Sequence, residues 1–119
     1  MNLLIDTHVF LWWLDNDRRL TKRARRAIAA RDSRVALSVA SVWELSIKAS
    51  LGRIELFGDE SAAAFVRRGV RQNRMDLLPI TIDHVERVQH LPPIHAAPFD
   101  RMLIAQAQSE GFTLVTADM

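Results

Sequence analysis

Apolar residues in this chain occur in two kinds of segment. Four short, mainly apolar runs, at residues 3–5, 35–39, 77–80 and 112–116, have the length and composition of buried strands. The segments between them mix apolar and polar residues at helical spacing. Strands that alternate with helices predict a parallel sheet with helices on both faces. The pattern therefore predicts an α/β fold in one domain that spans residues 1–119.

The helices are marked by capping residues, prolines and glycines. We expect them over residues 9–14, 22–30, 41–51, 60–72, 82–91 and 98–110. Their boundaries rest on caps at Thr21 and Thr81, a capping-box spacing from Ser41 to Glu44, Pro98 at a first helical position, and Gly111 as a terminator. Two apolar stripes are predicted to face the core, namely Trp43, Ile47 and Leu51 in one helix and Ile82, Val85 and Val88 in another.

Composition is that of an ordinary globular protein. The 119 residues are 49% apolar and 25% charged, and no apolar run approaches the length of a membrane span. The first residues have neither a basic region nor a small-residue cleavage site, so we expect no signal peptide. The chain has no cysteine. These features predict a cytoplasmic protein without a membrane partner and exclude thiolate metal sites.

Basic residues are concentrated in two clusters although the net charge is only +2. All of the 16 basic residues except Lys22 and Lys48 are arginine, whose planar fork suits phosphate. One cluster lies between residues 18 and 34 and the other between residues 67 and 74. Either these are solvated helix faces or they bind a polyanion, and the composition leaves both open.

Four acids occupy places where the predicted fold would bring them together. Asp6 and Asp118 follow predicted strands, whereas Glu44 and Asp100 are expected in the first turns of helices. In open α/β sheets such positions meet at the carboxyl edge, where ligands bind. Four carboxylates in one pocket need protons or a cation, and oxygen ligands favour Mg²⁺ or Mn²⁺. Such an ion can activate water for phosphodiester hydrolysis.

Each acid also has an ordinary structural explanation. Glu44 suits a capping box with Ser41 or an ion pair with Lys48 one turn later. Asp100 suits the positive end of a helix dipole, and Asp6 and Asp118 suit turns. His8 is the histidine nearest to these acids and is a candidate substrate contact, while His84, His90 and His95 are expected to be structural or at the surface. Of Trp12 and Trp13, we expect one in the core and the other available as an interface anchor.

Four motifs together resemble those of PIN-domain ribonucleases, and in particular the VapC toxins of bacterial type II toxin–antitoxin systems. They are Leu4-Ile5-Asp6-Thr7-His8, Ser41-Val42-Trp43-Glu44-Leu45, Pro98-Phe99-Asp100-Arg101-Met102-Leu103-Ile104-Ala105-Gln106-Ala107 and Leu114-Val115-Thr116-Ala117-Asp118. The likeness covers essentially the whole chain in the family's order. The Pro-Phe-Asp-Arg stretch is its most specific part.

The resemblance implies a three-layer fold with strand order 3-2-1-4 and an endoribonuclease that uses Mg²⁺ or Mn²⁺. It matches Asp6 and Asp100 to the principal metal ligands, Glu44 and Asp118 to the third and fourth acids, and Thr116 to a supporting hydroxyl. It also implies an RNA substrate, a homodimer and a cognate antitoxin. Such toxins usually continue through a further helix and a fifth, edge strand, whereas this sequence ends at Met119.

Two other functions fit parts of the pattern. A phosphatase with an aspartyl nucleophile would have a second aspartate two residues after the first, where this chain has His8. A non-catalytic nucleic-acid-binding or interaction module would use the arginine clusters and the tryptophan pair, but it gives no role to the four acids. The sequence therefore favours the nuclease.

Overall fold

A computed structural model describes residues 1–55, 59–93 and 97–117. Within these ranges, strands and helices alternate as the sequence pattern predicts. In chain order they are β1 (Asn2–Ile5), α1 (Thr7–Leu14), α2 (Lys22–Ala29), β2 (Arg34–Ser38), α3 (Val39–Ser50), α4 (Ala62–Gln72), β3 (Asp76–Leu78), α5 (Ile82–Gln89), α6 (Pro98–Glu110) and β4 (Thr113–Val115).

The described strands form one parallel sheet in the order β3-β2-β1-β4. This confirms the predicted order 3-2-1-4. Ile5, the last residue of β1, pairs with Leu37 on one side and with Val115 on the other. The carboxyl ends of these three strands therefore lie at the same edge of the sheet, and the residues that follow them are neighbours.

Alternate residues of the strands pack against helices on opposite faces of the sheet. Leu3 and Ile5 belong to a core cluster with residues of α1, α2, α3 and α4, whereas Leu4 packs with Leu103 and Ala107 of α6. Helices thus cover both faces, which makes the fold a three-layer α/β/α sandwich. Gly69 of α4 lets this helix approach α1 closely, because a Cβ there would lie 2.8 Å from the Phe10 ring.

Helix α3 differs from the sequence prediction in both its start and its orientation. It begins at Val39, directly after β2, because the Ser38 hydroxyl caps it by accepting from the Ala40 N–H at 2.9 Å. The predicted capping box at Ser41 is therefore wrong, and Glu44 lies in the second turn rather than the first. The predicted inward stripe is also wrong, since Trp43 is 57% exposed and Leu51 is 59% exposed. The buried side of α3 consists of Ala40, Ser41 and Leu45.

Helix α5 likewise turns two residues of its predicted apolar stripe outward, while Val88 is half-buried. Ile82 is 83% exposed and Val85 is 52% exposed, and the fully buried residue is His84. The predicted cap at Thr81 is confirmed: Thr81 N–H donates to His84 Nδ1 at 3.1 Å, and His84 N–H donates to the Thr81 hydroxyl at 3.3 Å. Because Nδ1 accepts, Nε2 carries the proton and donates to Glu110 Oε2 at 2.8 Å. The expectation that His84 is structural is confirmed.

In the described part of the chain, no helix combines the length and the apolar character that crossing a membrane requires.

Candidate active site

Asp6 occupies the junction between the central strand and the first helix. It follows β1 and is the N-cap of α1, where its Oδ1 accepts from the Val9 N–H at 2.8 Å. Its Oδ2 accepts from the Ala117 N–H at 2.9 Å, and its own N–H donates to the Val115 carbonyl at 3.0 Å. The Asp6 carboxylate is thus fixed between the ends of β1 and β4, and its place directly after β1 is the one that the apolar run predicts.

The surroundings of Asp6 disfavour an isolated negative charge. Burial is the largest influence, and it raises the pKa of Asp6 above the ordinary 3.8. The Val9 and Ala117 N–H groups and the nearby His8 lower this pKa, and the negative charge of Asp100 raises it further. The effect of Asp100 on Asp6 places the two carboxylates within electrostatic reach of each other.

Glu44 is held by neighbours on two helices. Its Oε1 lies 2.6 Å from the hydroxyl of Thr7 in α1, and its Oε2 lies 3.1 Å from Lys48 Nζ one turn along α3. The Thr7 hydroxyl is also 2.9 Å from the Ser41 hydroxyl, and both of these residues are buried. The sequence allows Glu44 either a capping box with Ser41 or an ion pair with Lys48, and the structure contains the ion pair. Thr7 lines the site but is not among the residues predicted from the sequence, although it directly follows Asp6.

One cavity of about 240 Å³ collects three of the four predicted acids. Asp6, Glu44 and Asp100 all line it, together with Thr7, His8 and Phe99. Asp100 reaches it from the first turn of α6, which begins with Pro98 at its first position. The predicted convergence of Asp6, Glu44 and Asp100 is therefore observed.

The remaining two predicted site residues lie at the end of the chain. Thr116 directly follows β4, is partly buried, and precedes the residue whose N–H binds Asp6. Asp118 lies outside the described residues. Because β4 is the neighbour of β1, the backbone places Thr116 and Ala117 near Asp6.

The donors that line the cavity suit a hard divalent cation. They are carboxylate oxygens, and Mg²⁺ commonly binds proteins through one or two carboxylates while it keeps several water ligands. Asp6 and Asp100 repel each other, so a cation between them would relieve an unfavourable interaction. Among the described residues, no three His, Asp or Glu side chains are arranged as a ready ligand set. The two aspartates are therefore the most direct donors, and Glu44, which also contacts Lys48 and Thr7, lines the same cavity.

Comparison with solved structures finds the same fold in two toxin–antitoxin assemblies. The first is a chain of VapBC2 from Rickettsia felis bound to a DNA fragment from their promoter, with a TM-score of 0.70 and 15% identity over 98% of this chain and 87% of that chain. The second is a chain of a toxin–antitoxin complex from Klebsiella pneumoniae, with a TM-score of 0.60 and 18% identity over 94% of this chain and 82% of that chain. At these identities the likeness is one of fold.

Comparison with curated protein sequences gives no match. The sequence profile of the PIN domain, by contrast, matches residues 3–119. This match includes all of the strands that build the sheet edge and every acid discussed above. The chain therefore belongs to the PIN domain family.

Proposed function

We propose that this protein is a Mg²⁺- or Mn²⁺-dependent endoribonuclease and the toxin of a toxin–antitoxin pair, acting in the cytoplasm. The observation that carries the proposal is the shared cavity of Asp6, Glu44 and Asp100 at the carboxyl edge of the sheet. Membership of the PIN domain family supports nuclease chemistry, and the resemblance to VapC toxins supports RNA as the substrate.

In this proposal the acids hold the metal and the neighbouring polar residues hold the acids. Asp6 and Asp100 are the principal ligands, and Glu44 and Asp118 complete the set. Two backbone N–H groups orient the Asp6 carboxylate, and they lower its pKa against the effect of burial. When bound, the ion supplies a charge that lowers the pKa of a water molecule and offsets the negative charge of the phosphate.

Three residues hold Glu44 in position. The Thr7 hydroxyl holds one carboxylate oxygen and Lys48 holds the other, at 2.6 and 3.1 Å. Ser41 supports Thr7 from inside α3. Thr116 is proposed to support the acidic cluster from the end of β4. Together the contacts of Thr7, Ser41 and Lys48 fix the position of Glu44 on the wall of the cavity.

Within the two basic clusters, the arginines of α2 and α4 supply an attraction for the RNA backbone. Exposed arginines lie on α2, at Arg23 and Arg26, and on α4, at Arg67 and Arg71. Such charges attract a polyanion from a distance and make its binding sensitive to salt. They add affinity without selecting a sequence.

Protein partners are proposed to bind the exposed apolar side of α3. Val39, Trp43, Ile47 and Leu51 recur at intervals of one turn along this side. A continuous exposed apolar surface of this kind is typical of protein interfaces. We assign it to a homodimer. The two similar structures come from toxin–antitoxin complexes, which supports an antitoxin as a second protein partner.

The proposal is tested by incubating the purified protein with RNA in Mg²⁺, in Mn²⁺ and in excess chelator. We expect cleavage in both metals and none in chelator, with 5′-phosphate and 3′-hydroxyl products, because an external water attacks. The Asp100→Asn variant should be inactive. Asp76→Asn is the matched control, since Asp76 pairs with Arg34 at the opposite edge of the sheet. RNA binding without any metal-dependent cleavage would instead support a non-catalytic binding module.

A further inference from the structure

A second group of aromatic and basic side chains adjoins the cavity on the surface of α1. His8 lines the cavity, and Trp12 lies one turn further along the same helix, with the two ring centroids 6.0 Å apart and the planes inclined at 49°. The guanidinium of Arg19 lies over the Trp12 ring, 5.1 Å from its centroid. The three side chains form a short track that leads away from the acids, which we call the α1 track.

The guanidinium of the α1 track is fixed in place by an aspartate. Asp17 accepts from Arg19 Nε at 3.1 Å, from Arg19 Nη2 at 2.8 Å and from the Arg19 backbone N–H at 2.9 Å. These bonds lower the pKa of Asp17 to about 2, so the pair stays charged at neutral pH. The Arg19 side chain is nevertheless 69% exposed. It therefore presents a flat, oriented surface to solvent.

The two tryptophans differ in what they contact. Trp13 donates from its ring nitrogen to Asn73 at 3.0 Å, which ties it to the end of α4. Trp12 contacts the exposed side chains of His8 and Arg19. Both rings are partly buried against the core, so neither is the freely exposed anchor that the sequence predicts. Trp12 is the ring that links His8, which lines the cavity, to Arg19.

From this arrangement we infer that the α1 track binds the bases of single-stranded RNA that flank the phosphate in the cavity. Unpaired bases stack on aromatic side chains and on arginine planes, and stacking tolerates any base sequence. Because Asp17 neutralises Arg19, the track contributes stacking more than attraction for phosphate. The arginines of α2 and α4 supply that attraction instead. The inference rests on the proposed function, and it adds a base-binding subsite to it.

The test measures the binding of a labelled oligoadenylate of about eight nucleotides by fluorescence anisotropy, in chelator so that no cleavage occurs. We expect Trp12→Leu and Arg19→Gln each to weaken binding by about 10-fold. The slope of log affinity against log salt, measured between about 50 and about 200 mM, should stay the same, because no phosphate contact is lost. Arg19→Gln changes only an exposed side chain, so the test does not depend on whether Trp12→Leu folds.

Arg34→Gln is the matched control. Arg34 also pairs with an aspartate and lies over an aromatic ring, with Asp76 Oδ2 at 2.9 Å and the Phe112 centroid at 5.7 Å. It lies at the amino edge of the sheet, away from the cavity. We expect this variant to bind RNA like the wild type.

Several results would overturn the inference: no binding by the wild type, unchanged binding by Arg19→Gln, an equal loss in Arg34→Gln, or a salt slope reduced by about one. If Arg19→Gln binds normally while the wild type cleaves RNA and Asp100→Asn does not, the inference fails and the proposed function stands. If the wild type cleaves nothing but the α1 track variants bind more weakly, the proposed function fails and the inference stands.

Discussion

The hydroxyl of Thr7 and a carboxylate oxygen of Glu44 lie 2.6 Å apart. This hydrogen bond joins the first turn of α1 to the second turn of α3, on the wall of the cavity that holds the acids. Thr7 directly follows Asp6. The end of β1 therefore positions Asp6 through backbone contacts and Glu44 through the Thr7 side chain. The geometry of Glu44 therefore depends on a residue that binds no metal itself.

Replacing Thr7 by valine tests this dependence. The shape is kept, but Glu44 loses its hydroxyl partner and the buried Ser41 hydroxyl loses a neighbour. We expect RNA cleavage to fall by about 10- to 100-fold, the usual effect of removing a residue that orients a ligand. The free energy of unfolding should fall by about 1–3 kcal/mol. Cleavage rates and chemical denaturation measure the two effects.

Thr7→Ser is the control, because serine keeps the hydroxyl and should restore most of the activity. Equal losses in Thr7→Ser and Thr7→Val would mean that packing of the methyl group matters rather than the hydrogen bond to Glu44.

The charge of Asp100 raises the pKa of Asp6, and this coupling can be measured directly. In Asp100→Asn the repulsion is absent, so the pKa of Asp6 should fall toward the ordinary 3.8 while burial keeps it raised. Carboxyl-carbon NMR titration of metal-free protein reports this pKa. Asp76→Asn, at the other edge of the sheet, should leave it unchanged. An identical Asp6 titration in Asp100→Asn would show that the two acids are not coupled.

The sign of the associated pH effect on stability follows from the raised pKa. The folded protein holds the Asp6 proton more tightly than the unfolded chain does, so the contribution of Asp6 to stability is present below pH 3.8 and is lost as the pH rises through its higher folded pKa. Asp17 acts in the opposite direction. Its pKa is lowered to about 2, so its contribution is present above 3.8 and is lost as the pH falls toward 2.

Leu51 tests the interface assigned to α3. It is 59% exposed at the end of the apolar side that also carries Trp43. Leu51→Lys should leave the fold of the monomer intact and weaken the dimer, because an unpaired charge would be buried in the interface. Analytical ultracentrifugation over a range of concentrations measures the change in dissociation constant. Ala29→Lys places the same charge on an exposed position of α2 and should leave the dimer unchanged. A monomeric wild type would exclude this interface.

The sequence predicts the strands and the positions of Asp6 and Asp100 for different reasons. The strands are short apolar runs, and the position of Asp6 follows from the run that ends directly before it. The resemblance, rather than periodicity, supplied the order 3-2-1-4. Asp100 follows from Pro98, which fixes the start of α6 and hence its first turn. Apart from the strand order, these features depend on neighbours in the sequence, so local patterns suffice to find them.

Which face of a helix is buried depends on the whole fold, and this is why the faces of α3 and α5 are predicted wrongly. Trp43 and Leu51 form an apolar stripe with helical periodicity, but periodicity cannot tell whether a stripe faces the core or a partner. In α3 the contact with the rest of the fold is filled by Ala40, Ser41 and Leu45, and Trp43 and Leu51 are left exposed. Thr7 was missed because its partners are 34 and 37 residues away in the sequence.

Metal binding should stabilise the protein, and this provides a test that does not depend on finding the RNA substrate. An ion that binds the folded chain alone at about ten times its Kd adds about 1.4 kcal/mol to the free energy of unfolding. For a domain of this size that raises the Tm by about 5 °C. Because the ion relieves the repulsion between Asp6 and Asp100, the shift should be nearly absent in Asp100→Asn and complete in Asp76→Asn. Thermal denaturation in chelator, Mg²⁺ and Mn²⁺ measures it, and equal shifts in Asp100→Asn and the wild type would place the ion elsewhere.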